Sequence, residues 1–471
     1  MDLISRREDL PRGPYLVAGL RRAGLAAARR LVALSGADAV AVWDADAGQA
    51  VQAAARGLKR EGVRVVLGGD GLGLLDGTAS PNCVVKSPGI PSTVPFLVGA
   101  RRKGIVVIDE LELGWRTDHR PLVAVTGTNG KSTVASLVLA LLRAAGRRPA
   151  LAGNVHPGPA LTALAPDDGD VIVCEVSSFQ LEDCPAFMPD VAVLTNLSHD
   201  HLDRHLTMRR YGAAKRRMFV RGGACVSTAV VGVDSGFGSE VAEAVGYRGG
   251  TVLRFGERED ADYRLVGCGW SAHEGWLLAD TPGARVELRT RLPGRHNALN
   301  ALAALAIGDA LAMPRSRSLA ALGSVPRVPG RFEPIDGDQP FDVIVDYAHN
   351  PDGLRRSLEA GRGLLVGRGP DARLRVVCSA PRTRTEDQRR MMGRIAVSLA
   401  DHVVLTNERW PATDAAVELP AGFREAITEA PSGRCEAVLD RGDAIERALR
   451  AACAGDVVMV LGRGNLSGEL L

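Results

Sequence analysis

Lys131, Ser132 and Thr133 follow a glycine-rich turn, Thr126-Gly127-Thr128-Asn129-Gly130, which itself follows the apolar run Leu122-Val-Ala-Val125. The apolar run reads as a buried parallel strand, and Val134-Ala-Ser-Leu-Val-Leu-Ala-Leu-Leu142 as a helix that the lysine opens. Strand, glycine loop and helix N-terminus make a phosphate cradle, because backbone N–H groups approach an anion that the helix dipole also favours. Lys131 adds a point charge and Ser132 an oxygen within reach of Mg²⁺. The commonest phosphate-loop pattern has glycine where Val125 stands, so a strand-to-helix turn without a ligand is the alternative. A lysine and a serine at the helix start have little purpose in such a turn, and a nucleoside triphosphate is the expected ligand.

Other residues of the right type stand at the ends of apolar runs. Asp170-Val-Ile-Val-Cys-Glu175 delivers Glu175 to the C-terminal end of a strand, where ligands collect in open α/β sheets. A carboxylate there suits Mg²⁺, a hard cation that prefers oxygen, and the alternative is an acid that simply begins a loop. Val191-Ala-Val-Leu-Thr-Asn196 is another strand, followed by Ser198-His199-Asp200-His201-Leu-Asp203-Arg-His205. That polar cluster is dense enough for metal or phosphate chemistry, and its carboxylates and hydroxyls suit Mg²⁺ better than zinc. His199 and His205 also read as solvated loop residues. Taken alone, Lys215 in the helical run Tyr211–Phe219 is a surface charge, and Asn297 in Gly294-Arg-His296-Asn297 is a helix cap.

These residues need several sheets to position them. A chain of 471 residues exceeds one core, and about three domains are expected. Hydrophobic residues at 46% and charged residues at 24% describe an ordinary globular protein. A net charge of +3 and 4% aromatics argue against a nucleic-acid surface. The eight cysteines are scattered without a CxxC pair, as small buried residues in a reducing compartment would be. No run reaches the apolar length of a signal peptide or membrane span, so a cytoplasmic protein is expected.

Strands alternate with helical segments throughout, the mark of parallel α/β sheets. Tyr15-Leu-Val-Ala-Gly19, the helical run Gly24–Leu34 and Ala39–Trp43, ending at Asp44 and Asp46, form a Rossmann-like unit. Arg21 stands where a second glycine would let a pyrophosphate approach, so a purely structural turn is equally open here. Cys83-Val-Val-Lys-Ser87-Pro-Gly89 reads as strand then loop. Polar, turn-like Thr117–Pro121 and the proline- and glycine-bearing Ser324–Gly330 divide the chain into domains 1–118, 119–326 and 327–471.

The loop Thr126–Thr133 resembles the ATP loop of the Mur ligases and their relatives, the folylpolyglutamate and cyanophycin synthetases. Glu175-Val-Ser-Ser-Phe-Gln-Leu-Glu182, Asn196-Leu-Ser-His-Asp-His201-Leu-Asp203, Tyr211-Gly-Ala-Ala-Lys215 and Gly294-Arg-His-Asn297-Ala-Leu-Asn300 resemble further motifs of the D-glutamate-adding branch. The resemblance implies a three-domain α/β architecture: a Rossmann-like UDP-substrate domain, a central P-loop ATPase domain with a parallel sheet, and a C-terminal Rossmann-like domain for amino acid and nucleotide. It implies ATP bound by Gly127 to Thr133, with Asn297, Arg331, Asp346 and His349 also on the nucleotide. It implies Mg²⁺ at two sites, Ser132 with Glu175 and His201 with Lys215, the lysine being carbamylated. Lys131, Glu175, His201 and Lys215 are thereby the catalytic set. Gly19, Asp44, Ser87 and Gly89 correspond to positions that hold the uridine nucleotide, and Asn154 to one between nucleotide and acceptor; His156 follows where the family has another residue.

The third domain resembles a different branch. Asp346-Tyr-Ala-His349-Asn350-Pro351, Arg382–Gly393 and Leu461-Gly-Arg-Gly464 are similar to the diamino-acid-adding ligases and cyanophycin-type synthetases, although Asn407-Glu-Arg409-Trp-Pro411 replaces the former's Asp-Asn-Pro-Arg. The implied activity is ATP-dependent amide-bond formation through an acyl phosphate, adding glutamate to UDP-N-acetylmuramoyl-L-alanine in peptidoglycan precursor synthesis. Arg21 and Arg22 would then face the anionic oxygens of the acceptor. The alternatives are a related ligase acting on another carboxylate in specialised metabolism, and a non-catalytic nucleotide-binding regulator. The expected partners are small molecules, with no nucleic acid, no membrane and a monomeric chain.

Overall fold

The computed structural model describes residues 9–77, 80–155, 158–381, 384–407 and 418–462. The chain divides into two compact units: Met1–Gly127 with Leu142–Thr195 and Arg209–Leu253, and Thr128–Leu141 with Asn196–Met208 and Arg254–Leu471.

The first unit holds two parallel sheets. One runs in the order Arg64–Leu67, Val40–Asp44, Tyr15–Ala18, Cys83–Lys86, Val106–Asp109. Their valine-rich runs are buried because helices cover both faces, as parallel sheets require. On one face Ala27, Ala28 and Leu31 of the helix Arg22–Ser35 meet Val17, Val42 and Val85. On the other, Trp43 meets Phe96 with ring centroids 4.4 Å apart. The second sheet orders Thr228–Gly232, Val191–Leu194, Leu122–Thr126, Val171–Glu175 and Pro149–Gly153, all parallel. The strand leading into the glycine loop is therefore central, and its register sets Val125 opposite Glu175.

A short helix, Glu110–Thr117, ties these sheets together although it carries two acids and an arginine in buried positions. Asp109 caps it by accepting from Leu111 N at 3.0 Å. Glu110 accepts from Thr162 N and Oγ1, both at 2.7 Å. Glu112 accepts from Arg116 Nε at 2.7 Å, Ala186 N at 3.0 Å and Phe187 N at 2.7 Å. Burial pushes both glutamates' carboxyls up, and these donors pull them back.

The second unit has an antiparallel meander, Tyr263–Trp270, Gly275–Thr281 and Ala284–Thr290. It is followed by the helix Arg295–Ala310, whose small and apolar residues are buried nearly all round. Its other sheet orders Glu333–Pro334, Asp342–Asp346, Val457–Leu461, Leu374–Cys378, His402–Leu405 and Cys435–Ala437, parallel except for the first strand. The eight cysteines form no disulfide, and burial pushes the Cys83 and Cys378 thiols up to about 12. Among the described residues no helix is long and apolar enough to cross a membrane.

Candidate active site

In the first unit, Glu175 ends its strand 4% exposed. Gly153, at φ +94, ends the neighbouring strand so tightly that a Cβ would lie 2.3 Å from the Glu175 carbonyl oxygen. Asn154 then donates its N–H to that oxygen at 2.7 Å, and its Nδ2 lies 3.5 Å from Glu175 Oε1. Lys215 is 1% exposed, on the helix Met208–Arg216. It is no surface charge: its Nζ donates to Gly127 O at 2.9 Å and to Thr126 Oγ1 at 3.4 Å, and sits 4.7 Å from the Tyr211 ring centroid. Lys215 thus reaches the start of the glycine loop from 88 residues downstream.

In the second unit the rest of the loop is held from several sides. Thr128 N donates to Asn196 O at 3.1 Å, and Asn129 N to Asn196 Oδ1 at 3.0 Å. Lys131, at the start of the helix Lys131–Ala144, folds its Nζ onto Thr128 O at 3.0 Å. Gly130, at φ +86, packs so closely on Asn300 that a Cβ would lie 2.4 Å from its Oδ1. Asn300 Nδ2 in turn donates to Asn297 Oδ1 at 3.1 Å, and Asn297 Nδ2 to Pro293 O at 2.8 Å. Asn297 is therefore not a cap of the usual kind; its amide braces the helix that backs the glycine loop. Thr133 is buried in the first turn beside Ser132, whose Oγ lies 3.5 Å from an Arg331 NH2.

Arg331 comes from a tightly organised turn. Asp346 accepts from Phe332 N at 2.7 Å, Ala348 N at 3.0 Å and Ser357 Oγ at 2.6 Å, and Phe332 adopts φ +50. The Arg331 guanidinium lies 4.4 Å from the Tyr347 ring centroid. His349 is pushed down to about 3, first by burial and then by Arg384. Asn350 caps the helix Pro351–Leu364 by accepting from Gly353 N at 2.8 Å, while its Nδ2 donates to Asp200 Oδ2 at 2.9 Å and Asn129 Oδ1 at 3.1 Å. Asp352 Oδ2 collects Asn129 Nδ2 at 2.8 Å, Ser198 Oγ at 2.9 Å and Arg356 Nε at 2.9 Å. Asp200 is 1% exposed and pairs with Arg384. Burial would raise its carboxyl, but His201, Arg384 and His349 hold it below the usual carboxylate range. His201 follows at φ +54, its N–H on Asp200 Oδ1 at 2.8 Å. An off-region backbone costs of order ~1–3 kcal/mol and persists where surrounding structure enforces it.

Of the residues expected to face a nucleotide sugar, Gly19, Asp44 and Ser87 meet at the ends of three adjacent strands. Leu20 N donates to Asp44 Oδ2 at 2.7 Å, and Ser87 Oγ to Gly19 O at 3.4 Å. A Cβ on Gly89 would meet nothing within 4 Å, so that glycine is not demanded by packing. Arg22 departs from expectation. Its guanidinium donates to the carbonyls of Val155 at 3.0 Å, Gly153 at 3.4 Å and Gly158, while Arg21 is exposed 3.8 Å from Asp46. His156, Arg382, Glu408 to Pro411 and Arg463 to Gly464 lie outside the described residues.

Asp200, Asn350, Asp352 and Arg384 are the residues that the sequence did not single out. Asp200, Asn350 and Arg384 stand inside the family-like motifs, whereas Asp352 carried no signal. For a cation, Glu175 offers carboxylate oxygens at its strand end, and no three His, Cys, Asp or Glu side chains converge among the described residues. That donor set fits Mg²⁺, which binds through one or two carboxylates together with phosphate and water oxygens.

A phosphate loop, a strand-end carboxylate and a buried lysine define a nucleotide-dependent enzyme on a multi-sheet α/β frame. Residues 125–308 match the Mur ligase middle domain and residues 330–464 the Mur ligase glutamate ligase domain. The chain is 39% identical over 372 residues, 73% of this chain and 76% of the relative, to the UDP-N-acetylmuramoylalanine–D-glutamate ligase of Jannaschia sp. (strain CCS1). It is 30% identical over 81% of each chain to the UDP-N-acetylmuramoyl-L-alanyl-D-glutamate–2,6-diaminopimelate ligase of Listeria monocytogenes. Among solved structures, the UDP-N-acetylmuramate–alanine ligase of Thermotoga maritima shares the fold at TM-score 0.60 and 20% identity, covering 96% of both chains. The chain belongs to the Mur ligase family. It is an ATP-dependent, amide-bond-forming ligase that uses Mg²⁺, which overturns the regulator alternative.

Proposed function

We propose that this chain adds glutamate to UDP-N-acetylmuramoyl-L-alanine in peptidoglycan precursor synthesis, in the cytoplasm and as a monomer. The observation that carries the reading is the meeting of Gly19, Asp44 and Ser87 at the ends of three adjacent strands, alongside 39% identity to a relative named for D-glutamate. The proposed domains are 1–118 for the uridine nucleotide, with Gly89 beside the trio, 119–326 for ATP, and 327–471 for amino acid and nucleotide.

The acceptor carboxylate oxygen attacks the γ-phosphorus of ATP, ADP leaves, and the amino group then displaces phosphate from the acyl phosphate with loss of a proton. Gly127, Thr128, Asn129, Gly130 and Thr133 shape the cradle, and Lys131 with the loop amides stabilises charge on the transferring phosphoryl group. Ser132 and Glu175 would hold one Mg²⁺, and His201 with a carbamylated Lys215 a second. The metal, when bound, neutralises phosphate charge and orients oxygens. Asn154 would stand between nucleotide and acceptor. Arg331 serves the phosphate side, while Asp346, His349 and Asn297 hold the loops that face the nucleotide.

A phosphate-release screen with ATP and Mg²⁺, across UDP-muramoyl acceptors and a panel of amino acids, tests this. Turnover requiring both UDP-N-acetylmuramoyl-L-alanine and glutamate supports it. The second reading is a ligase that joins another amino acid to another carboxylate. Support for it comes from Asp346-Tyr-Ala-His349-Asn350-Pro351 and from the 30% identity to a diaminopimelate ligase. Turnover with a different pair would favour that reading.

A further inference from the structure

Gly153–Val155 and Gly158–Thr162 are held by charged side chains of the N-terminal sheet's own helices. Arg22, in the first turn of the helix Arg22–Ser35, donates to the carbonyls of Gly153, Val155 and Gly158. The buried Glu110 carboxylate accepts from both Thr162 N and Thr162 Oγ1 at 2.7 Å. Between these anchors Gly153 N donates to Pro159 O at 2.9 Å, and Asn154 N to Glu175 O at 2.7 Å. At Gly153 the backbone packs so closely on the Glu175 carbonyl that a Cβ there would lie 2.3 Å from its oxygen. Arg22 thus holds the carbonyls of both residues that flank Asn154, Gly153 and Val155.

We infer that Arg22 is a positioning residue: it sets the Asn154 segment against Glu175, rather than binding an acceptor oxygen. The inference rests on the ligase reading above. A guanidinium suits the task because its fork of donors reaches several carbonyls at once in a fixed plane, which a single ammonium does not. It also accounts for an arginine in a glycine-rich turn, next to the exposed Arg21 that makes no such contact.

Arg22→Met keeps most of the apolar stem and removes every donor. Because a ~1 Å misplacement can cost ~10²-fold in rate, kcat should fall at least ~10-fold while KM for ATP and for the UDP-acceptor stays within ~2-fold. In a cycle with Asn154→Ala the losses should be non-additive, the double variant lying within ~2-fold of Asn154→Ala alone. A raised acceptor KM with unchanged kcat would make Arg22 an acceptor ligand and overturn the inference. Additive losses, or a lower melting temperature with unchanged kcat, would overturn it equally. If wild type turns over no UDP-muramoyl acceptor, the ligase assignment fails first, and amide hydrogen exchange still reads the positioning. Asn154 N–H should then exchange faster in Arg22→Met than in wild type at equal global stability, and equal exchange overturns the inference.

Discussion

Lys131 and Lys215 approach the same loop in different ways. Lys131 lies over the loop with its ammonium on Thr128 O at 3.0 Å, and the loop is built from backbone contacts that do not need it. Lys131→Ala should keep the unfolding transition of wild type while ATP turnover drops ~10²-fold or more, because one charge aimed at the transferring phosphoryl group is lost. A variant within twofold of wild type would remove the proposed role. Lys215, at 1% exposure, has its Nζ on Gly127 O at 2.9 Å. If it is carbamylated in the working enzyme, acetate or formate should partly restore Lys215→Ala, and intact-protein mass of freshly prepared wild type should show added CO₂. Full activity of Lys215→Ala without any added carboxylate would sink that role.

The helix Glu110–Thr117 shows at the element scale how polar groups can occupy a buried position. Glu112 has Arg116 Nε at 2.7 Å and the Ala186 and Phe187 amides at 3.0 and 2.7 Å, so every donor aimed at it is satisfied by one carboxylate. Glu112→Ala removes the acceptor of Arg116 Nε and of two buried amides, and breaking a buried pair in this way costs about 3–5 kcal/mol. Denaturant unfolding should show a loss of that order. A loss under ~1 kcal/mol, the worth of an exposed pair, would mean water replaces the carboxylate.

At the scale of the whole molecule, folding removes a titratable imidazole from water. Burial pushes His296 down to about 4 from 6.5, against the pull of Asp346 and Asp352 and with the push of Arg356 and Arg331. Its ring meets Phe332 edge-on at 6.3 Å. Between these two values the unfolded chain binds a proton that the folded chain refuses, so stability must rise with pH across that window. The contribution is fully present above about 6.5 and is lost progressively as pH falls toward about 4. His296→Gln should flatten that part of the profile, measured as unfolding free energy against pH. An unchanged slope would show that His296 protonates freely in the folded state.

Local chemistry made the phosphate loop, the Glu175 strand and the parallel-sheet class legible in the amino-acid order. Glycines at Gly127 and Gly130, a helix opened by Lys131 and apolar runs ending in an acid are all near-neighbour patterns, and they reappear as the strands Leu122–Thr126 and Val171–Glu175 and the helix Lys131–Ala144. Family resemblance added Lys215, which as a bare residue was a surface charge; only burial under Tyr211 and the distance to Gly127 removed it from solvent. The pairs Asp200–Arg384 and Asn129–Asp352 join residues 184 and 223 positions apart, and no local periodicity encodes a contact of that span. Arg22 is the sharpest instance. Its place in the sequence pointed to an anion, but three carbonyls from a segment more than 130 residues away take its donors. Residue order determined which side chains could do the chemistry. Tertiary packing decided which of them are spent on holding the others, because hydrogen-bond partners for a buried or crowded polar group are chosen by proximity in space.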